Sequence, residues 1–343
     1  MAARPAARRA LRSVSAPLQS RNPKMTRSFS HATQFRAAAT DSARDPSRKT
    51  HFGYETVTEA EKQERVAGVF TSVAESYDRM NDLMSFGWHR VWKDHFVSSL
   101  NPGFSPLGAD ASTRGPQHIL DIAGGTGDIA FRHLRHAHVL NNNPSVRVTI
   151  SDINPAMLSV GKQRSETLPA SQQAALTFLE ANAEDLTRTK PLSQTTTTTT
   201  TTTGTDPIPP TSGIPSNSVD LYTVAFGIRN FSNIPAALLE AHRVLKPGGV
   251  FACLEFGKTD ASGIPLLDTL YRRWSFSAIP LIGQLVAGDR DSYQYLVESI
   301  DRFPRQDRFR DMIADAGFAV AGRGWEDLTG GVAAIHKGMK PLA

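Results

Sequence analysis

From residue 118 onward, short apolar runs alternate with stretches of helical periodicity, and this alternation leaves few architectures open. Strand-like runs cover 118–123, 147–153, 176–181, 219–226 and 250–256, with two more near 318–322 and 332–336. Helical patterns fall over 128–140, 155–167, 235–245, 264–286 and 306–316. A strand followed by a crossover helix returns parallel to its predecessor. The pattern therefore predicts an α/β fold, a doubly wound and mostly parallel sheet of seven strands with helices on both faces. Ligands of such sheets sit beyond the carboxyl ends of the strands. Ahead of the alternation, Thr58-x-x-Glu61 is a capping box, and Val66, Val69, Phe70, Val73 and Tyr77 recur at helical spacing. An amphipathic helix packed against the domain is expected there.

The first 40 residues hold seven Arg, one Lys and no acid. That is the composition of a mitochondrial transit peptide, expected over 1–48, and Arg27-Ser28-Phe29-Ser30 places its cleavage near Phe29. Without those eight positive charges the net charge of +5 becomes −3, so the body of the chain lacks the basic groove that nucleic acid requires. No nucleic-acid partner is expected. The single cysteine, Cys253, excludes an internal disulfide and a Cys-based zinc site, and no metal is expected. The longest uncharged apolar-leaning stretch, 274–288, is broken by Pro280 and Gly283 and falls short of the roughly 18 residues of a membrane span. Nine threonines, Thr195–Thr203, followed by Pro207, Pro209, Pro210 and Pro215, read as a disordered insertion over about 187–215 in a domain of 49–343.

The motif Asp121-Ile-Ala-Gly124-Gly125-Thr126-Gly127-Asp128 follows the first strand and opens the first helix. Gly125 and Gly127 let the backbone turn tightly and let a ligand approach its N–H groups. Gly125-x-Gly127-x-x-Ala130 also satisfies a dinucleotide fingerprint, which leaves an NAD-dependent oxidoreductase as the rival reading. Asp121 favours the other class. A carboxylate beside the loop repels a pyrophosphate but suits the ammonium of S-adenosylmethionine. Asp152 ends the second strand, where an acid accepts hydrogen bonds from ribose hydroxyls; its alternative role is a helix N-cap ahead of Pro155. Asn182 and Ala183 end the third strand, beside the expected adenine edge, or form a plain turn.

Further segments carry a resemblance: 50–57, the run from Tyr77 to Lys93, Phe226-Gly-Ile-Arg-Asn230, Arg243-Val-Leu-Lys-Pro-Gly-Gly249 and Ala287-Gly-Asp-Arg-Asp-Ser-Tyr293. With the glycine loop, they make the chain resemble the ubiquinone/menaquinone C-methyltransferase family from about His51 to Gly338. The resemblance implies a class I S-adenosylmethionine-dependent methyltransferase, Rossmann-like in fold, with a polyprenyl benzoquinol substrate bearing a methoxy group. It implies Thr126, Asp152, Asn182 and Ala183 as cofactor contacts, alongside Asp121, Gly125 and Gly127. It also implies a peripheral place on the matrix side of the mitochondrial inner membrane, and other proteins of the coenzyme Q biosynthetic complex as partners. The chain departs from the family pattern at Ala225, often Ser, and at Ala123, where many methyltransferases carry a third Gly. A non-catalytic methyltransferase-like subunit is the rival from another class. It would need none of Asp121, Gly125, Gly127 and Asp152.

Methyl transfer to a ring carbon requires an oriented ring and a stabilised phenolate, from residues at the carboxyl end of the fourth strand. Arg229 is expected to offer its fork of donors to a ring oxygen and Asn230 to hold a second oxygen or a water. Because a guanidinium stays protonated, proton removal is expected through a bound water. Tyr77 and Asn81 are expected as lid-side contacts to the quinol, with His89 a lesser candidate base. The segment 264–290 combines Leu266, Leu267, Leu270, Trp274 and Phe276 with Arg272 and Arg273, which suits a lid touching the membrane surface. Core cover or a homodimer interface is the alternative use of these residues.

Overall fold

The computed structural model describes residues 47–73, 81–82, 85, 87–104, 116–192, 213–259 and 290–342. The leader up to residue 46, Tyr77, residues 193–212 of the insertion and the helical or lid segment 264–289 lie outside them. The described chain opens with an antiparallel hairpin, β1 (Lys49–Phe52) and β2 (Glu55–Thr58), and continues into α1 (Glu59–Val73). The expected cap is present: the backbone N–H of Glu61 donates to Thr58 Oγ1 at 3.2 Å. The next helix, α2 (Trp88–Leu100), ends on Asn101 in the left-handed region at φ 46, a residue type that tolerates it.

The main sheet is built from β3 (His118–Ile122), β4 (Arg147–Asp152), β5 (Leu176–Asn182), β6 (Asp185–Pro191), β7 (Val219–Ala225), β8 (Leu245–Phe256), β9 (Trp325–Leu328) and β10 (Ala333–Met339). Their order is β6-β5-β4-β3-β7-β8-β10-β9. The five strands from β5 to β8 are parallel, while β6, β9 and β10 run against their neighbours. Ile119 and Ile150 face α3 (Asp128–Leu134) and α4 (Pro155–Ser165). Leu120, Ile122 and Tyr222 face α6 (Ile234–Val244) and α8 (Gln306–Asp315) across the sheet, α5 (Ala170–Gln173) and α7 (Arg290–Arg302) being the remaining helices. Each fully buried Leu or Ile contributes about 1.5–3 kcal/mol to holding these layers together. Because β4 lies on one side of β3 and β7 on the other, the connections leave β3 in opposite directions and open a crevice at the ends of these strands.

Two expectations change. The sheet has eight strands rather than seven, because Asp185–Pro191, whose greater part was read as insertion, pairs antiparallel with β5. Leu186 and Thr189 turn inward, and Arg188, Lys190 and Pro191 suit the exposed edge. The N–H of Ile214 donates to the Leu186 carbonyl at 2.7 Å, so the chain rejoins the sheet beside β6. The strand read near 318–322 is reduced to a single bridge between Ala319 and Met339; Gly322 and Gly324 then turn the chain at positive φ into β9. Trp325 begins that strand, stacked between Arg323 and the ring of His336.

Candidate active site

The crevice opens into a cleft with about 1060 Å³ of empty space, its mouth included. Its floor is the loop after β3. Ala123, Gly125 and Gly127 take φ values of 51, 45 and 81, and the N–H of Gly127 closes the turn on the Gly124 carbonyl at 2.8 Å. Gly125 and Thr126 line the cleft. Gly127 does not; it begins α3, where a Cβ would lie 2.5 Å from the Phe131 ring. Gly161 on α4 lets the loop settle, since a Cβ there would stand 2.6 Å from the Gly125 carbonyl.

Asp121 is 1% exposed and lines this floor. Its Oδ1 accepts from Thr223 Oγ1 at 2.8 Å. Its Oδ2 is buried with no hydrogen-bond partner. Burial, with no cation against it, pushes the carboxyl up to about 7. Asp152, half-buried, receives the N–H of Gly125 at 3.0 Å and that of Asn154 at 2.9 Å, and burial pushes it up to about 6. The helix cap is Asn154, not Asp152: its Oδ1 accepts from Ala156 and Met157 at the start of α4. Asp152 therefore keeps its remaining lone pairs toward the cleft it lines. Asn182 and Ala183 form the next part of the wall, followed by Glu184, whose Oε1 accepts from the N–H groups of Ser232 and Asn233 at 2.7 and 2.9 Å.

The roof is α1, which contributes Gln63, Val66, Ala67 and Phe70. Lys62 Nζ donates to the Phe231 carbonyl at 2.8 Å, and Asn154 Nδ2 donates to the Ala67 carbonyl at 3.1 Å and to Thr71 Oγ1 at 3.0 Å. These bonds tie the roof to both walls. Burial lowers the Lys62 ammonium to about 8, against the opposing pull of Glu184 and Glu59.

After β7 the chain turns through Phe226, at φ 56, into a short 3-10 turn, Ile228–Asn230. A bulky residue in this region is strained and must be held there by its surroundings. Asn230 lines the cleft, and its Oδ1 accepts the Tyr295 hydroxyl at 3.0 Å, which leaves the amide N–H donors for a ligand. Arg229 is a correction: it does not line the cleft. Its guanidinium donates to Glu255 Oε1 at 2.8 Å, to the Phe226 carbonyl at 2.6 Å and to Ser299 Oγ at 3.3 Å, all buried. The fork expected at a ring oxygen instead fixes the strained turn. His89 and Asn81 are buried and also stand outside the lining; His89 Nε2 is 2.8 Å from Asp82.

Lys93, which no motif singles out as a site residue, is buried, lines the cleft and pairs with Asp128 at 2.8 Å. One signal for it exists. On α2 it shares a face with His89, Phe96, Val97 and Leu100, a charge in an apolar stripe.

Residues 58–204 and 212–340 match the ubiE/COQ5 methyltransferase family. The chain belongs to that family. It is 50% identical over 295 residues to the mitochondrial 2-methoxy-6-polyprenyl-1,4-benzoquinol methylase of Schizosaccharomyces pombe, covering 86% of this chain and 85% of the relative. To the protein of the same name from Oryza sativa it is 43% identical over 304 residues, covering 86% and 89%. To the ubiquinone/menaquinone biosynthesis C-methyltransferase UbiE of Nitrobacter hamburgensis it is 45% identical over 295 residues, covering 86% and 98%. As a member of the ubiE/COQ5 family the chain has the class I S-adenosylmethionine-dependent methyltransferase fold, with β6 added at one edge, and the oxidoreductase reading is set aside. No helix among the described residues is long and apolar enough to cross a membrane.

Proposed function

We propose that this chain methylates a ring carbon of a polyprenylated methoxy-benzoquinol in ubiquinone biosynthesis, with S-adenosylmethionine as donor and no metal. One juxtaposition carries the reading: the unpartnered, buried Oδ2 of Asp121 and the amide of Asn230 line one cleft, at the ends of adjacent strands. A buried acceptor without a donor fits an incoming ammonium. A non-catalytic subunit has no use for one. Asp152 takes the ribose hydroxyls, Asn182 and Ala183 the adenine side, and the N–H of Thr126 the span between, that of Gly125 being held by Asp152. Bound there, the donor would supply a sulfonium methyl, so that a ring C–CH3 bond forms as the C–S bond breaks and the ring hydrogen passes as a proton to a water in the cleft.

Asn230 is oriented by Tyr295 and donates to a quinol oxygen as negative charge develops on it. Tyr295 is itself stacked on Phe52 of the hairpin, ring centres 4.2 Å apart, so the N-terminal hairpin braces the catalytic turn. Arg229 acts through Phe226 and Glu255 as a positioning residue, and Tyr77 stays assigned to the quinol side. Similarity to proteins named mitochondrial, together with the arginine-rich leader, supports import into mitochondria and a peripheral place on the matrix side of the inner membrane, with other proteins of the coenzyme Q complex or a second copy as partners. The test is single-turnover methyl transfer from labelled S-adenosylmethionine to a short-chain prenylated methoxy-quinol, with the product mapped by mass spectrometry. Label on a ring carbon is expected; label on oxygen, or none under conditions where the donor binds, refutes the reading.

A further inference from the structure

The amino-acid end of an adenosyl donor carries an ammonium and a carboxylate on one carbon, and a buried site must answer both charges. Asp121 answers the first. For the second, Lys93 is the one cation among the described residues that line the cleft. It is 4% exposed, with Nζ 2.8 Å from Asp128 Oδ2 and 5.9 Å from the centre of the Phe226 ring. Asp128 opens α3 directly after the glycine loop, and Phe226 follows β7. Lys93 therefore stands between the ends of β3 and β7, on the side of Asp121, with Asp152 and Asn182 farther along the sheet on β4 and β5. An ammonium has three N–H donors, and Asp128 takes one.

We propose that Lys93 binds the carboxylate of the donor's amino-acid end. Asp128 aims the ammonium, and the incoming carboxylate takes a remaining donor. Two binders of opposite sign in the lining of one cleft suit two charges that share a carbon. Lys93 is on this account a positioning residue: it sets where the sulfonium methyl lies along the cleft. The proposal rests on the reading of the cleft as a donor site, and the experiment separates the two.

Calorimetry on the full chain compares three probes: S-adenosylhomocysteine, its counterpart lacking only the carboxylate, and methylthioadenosine, which lacks the whole amino-acid end. The wild-type chain is expected to prefer S-adenosylhomocysteine over the decarboxylated probe by about ten- to a hundredfold, the worth of one charge-assisted hydrogen bond. Lys93→Met is expected to abolish that preference and leave methylthioadenosine affinity in place. Lys93→Met with Asp128→Asn removes both buried charges together, which avoids an unpaired Asp128, and is expected to do the same. Asp128→Asn alone keeps the preference. A preference retained in both Lys93 variants overturns the proposal, as does an equal loss for the two amino-acid-bearing probes. Lost turnover with unchanged S-adenosylhomocysteine affinity also overturns it, and assigns Lys93 to the quinol. A wild-type chain that binds none of the probes refutes the donor site itself.

Discussion

Arg229→Ala removes a cation from a place that water does not reach. The side chains of Arg229 and Glu255 are each 1% exposed and meet at 2.8 Å. Without the guanidinium, Glu255 keeps the N–H of Phe256 at 2.9 Å and a longer one from residue 229 at 3.4 Å. Breaking a buried pair from one side costs about 3–5 kcal/mol, and the lost bond to the Phe226 carbonyl adds about 1 kcal/mol. In a folding unit of this size each kcal/mol lowers the melting midpoint by about 2–4 °C, so a drop on the order of 10 °C is expected. Turnover falls too, because Phe226 at φ 56 loses the donor that fixes its carbonyl. Arg229→Met with Glu255→Gln removes both charges and should recover most of the stability while the turn stays loosened. Scanning calorimetry read beside methyl transfer decides the matter. If Arg229→Ala melts within about 2 °C of wild type, less than 1 kcal/mol, and still loses turnover, the guanidinium acts on the substrate and the positioning role is refuted.

Asp152→Ala should weaken donor binding by about 1–3 kcal/mol, since ribose hydroxyls lose a charged acceptor; an unchanged Kd by calorimetry would leave Asp152 as a clamp on Gly125 alone. The raised carboxyl of Asp121, near 7 in the fold against 3.8 for the free group, means that the folded chain holds a proton the unfolded chain has lost, so stability without ligand should fall as pH rises between these values. Donor affinity should move the opposite way, climbing up to about tenfold per pH unit until about 7 and levelling there; Asp121→Asn should flatten the climb, and a wild-type affinity independent of pH contradicts the assignment. Gly161→Ala gains helix propensity but sets a Cβ 2.6 Å from the Gly125 carbonyl, so donor affinity should drop about tenfold, whereas Gly68→Ala, with nothing within 4 Å, should stabilise the chain by about 0.5–1 kcal/mol in a urea melt.

Much of the fold was legible because its period is local. The runs at 118–123 and 219–226 became β3 and β7 to within a residue, since continuous apolar stretches bounded by turn residues leave a buried parallel strand little freedom. The edge strands were not legible for the complementary reason. β6 reads Asp-Leu-Thr-Arg-Thr-Lys-Pro, polar enough to pass for the start of the threonine insertion, and only the pairing partner β5 makes it a strand. β9 was displaced in the same way. Phe318 and Val320 look like a strand, but Phe318 belongs to the core around Phe309 and Ile313, and the sheet edge goes to Trp325.

At the site, residues fixed by backbone conformation were readable and residues fixed by tertiary pairing were not. Gly125, Asp121 and Asp152 follow from a loop between a strand and a helix. Nothing local shows that Glu255 waits for Arg229, or that Lys93 on α2 reaches Asp128 at the start of α3. Those pairings decide the electrostatics. Four acids, Asp121, Asp128, Asp152 and Glu184, line the cleft against the one ammonium of Lys93. Burial raises three of the four, Asp121, Asp152 and Glu184, so the free site resists carrying its full negative charge. A ligand with a sulfonium and an ammonium relieves that resistance from both ends of its amino-acid arm. A pyrophosphate would add two negative charges to it. The surplus of buried carboxylate thus does for cofactor choice what the glycine loop, shared by both cofactor classes, cannot do alone.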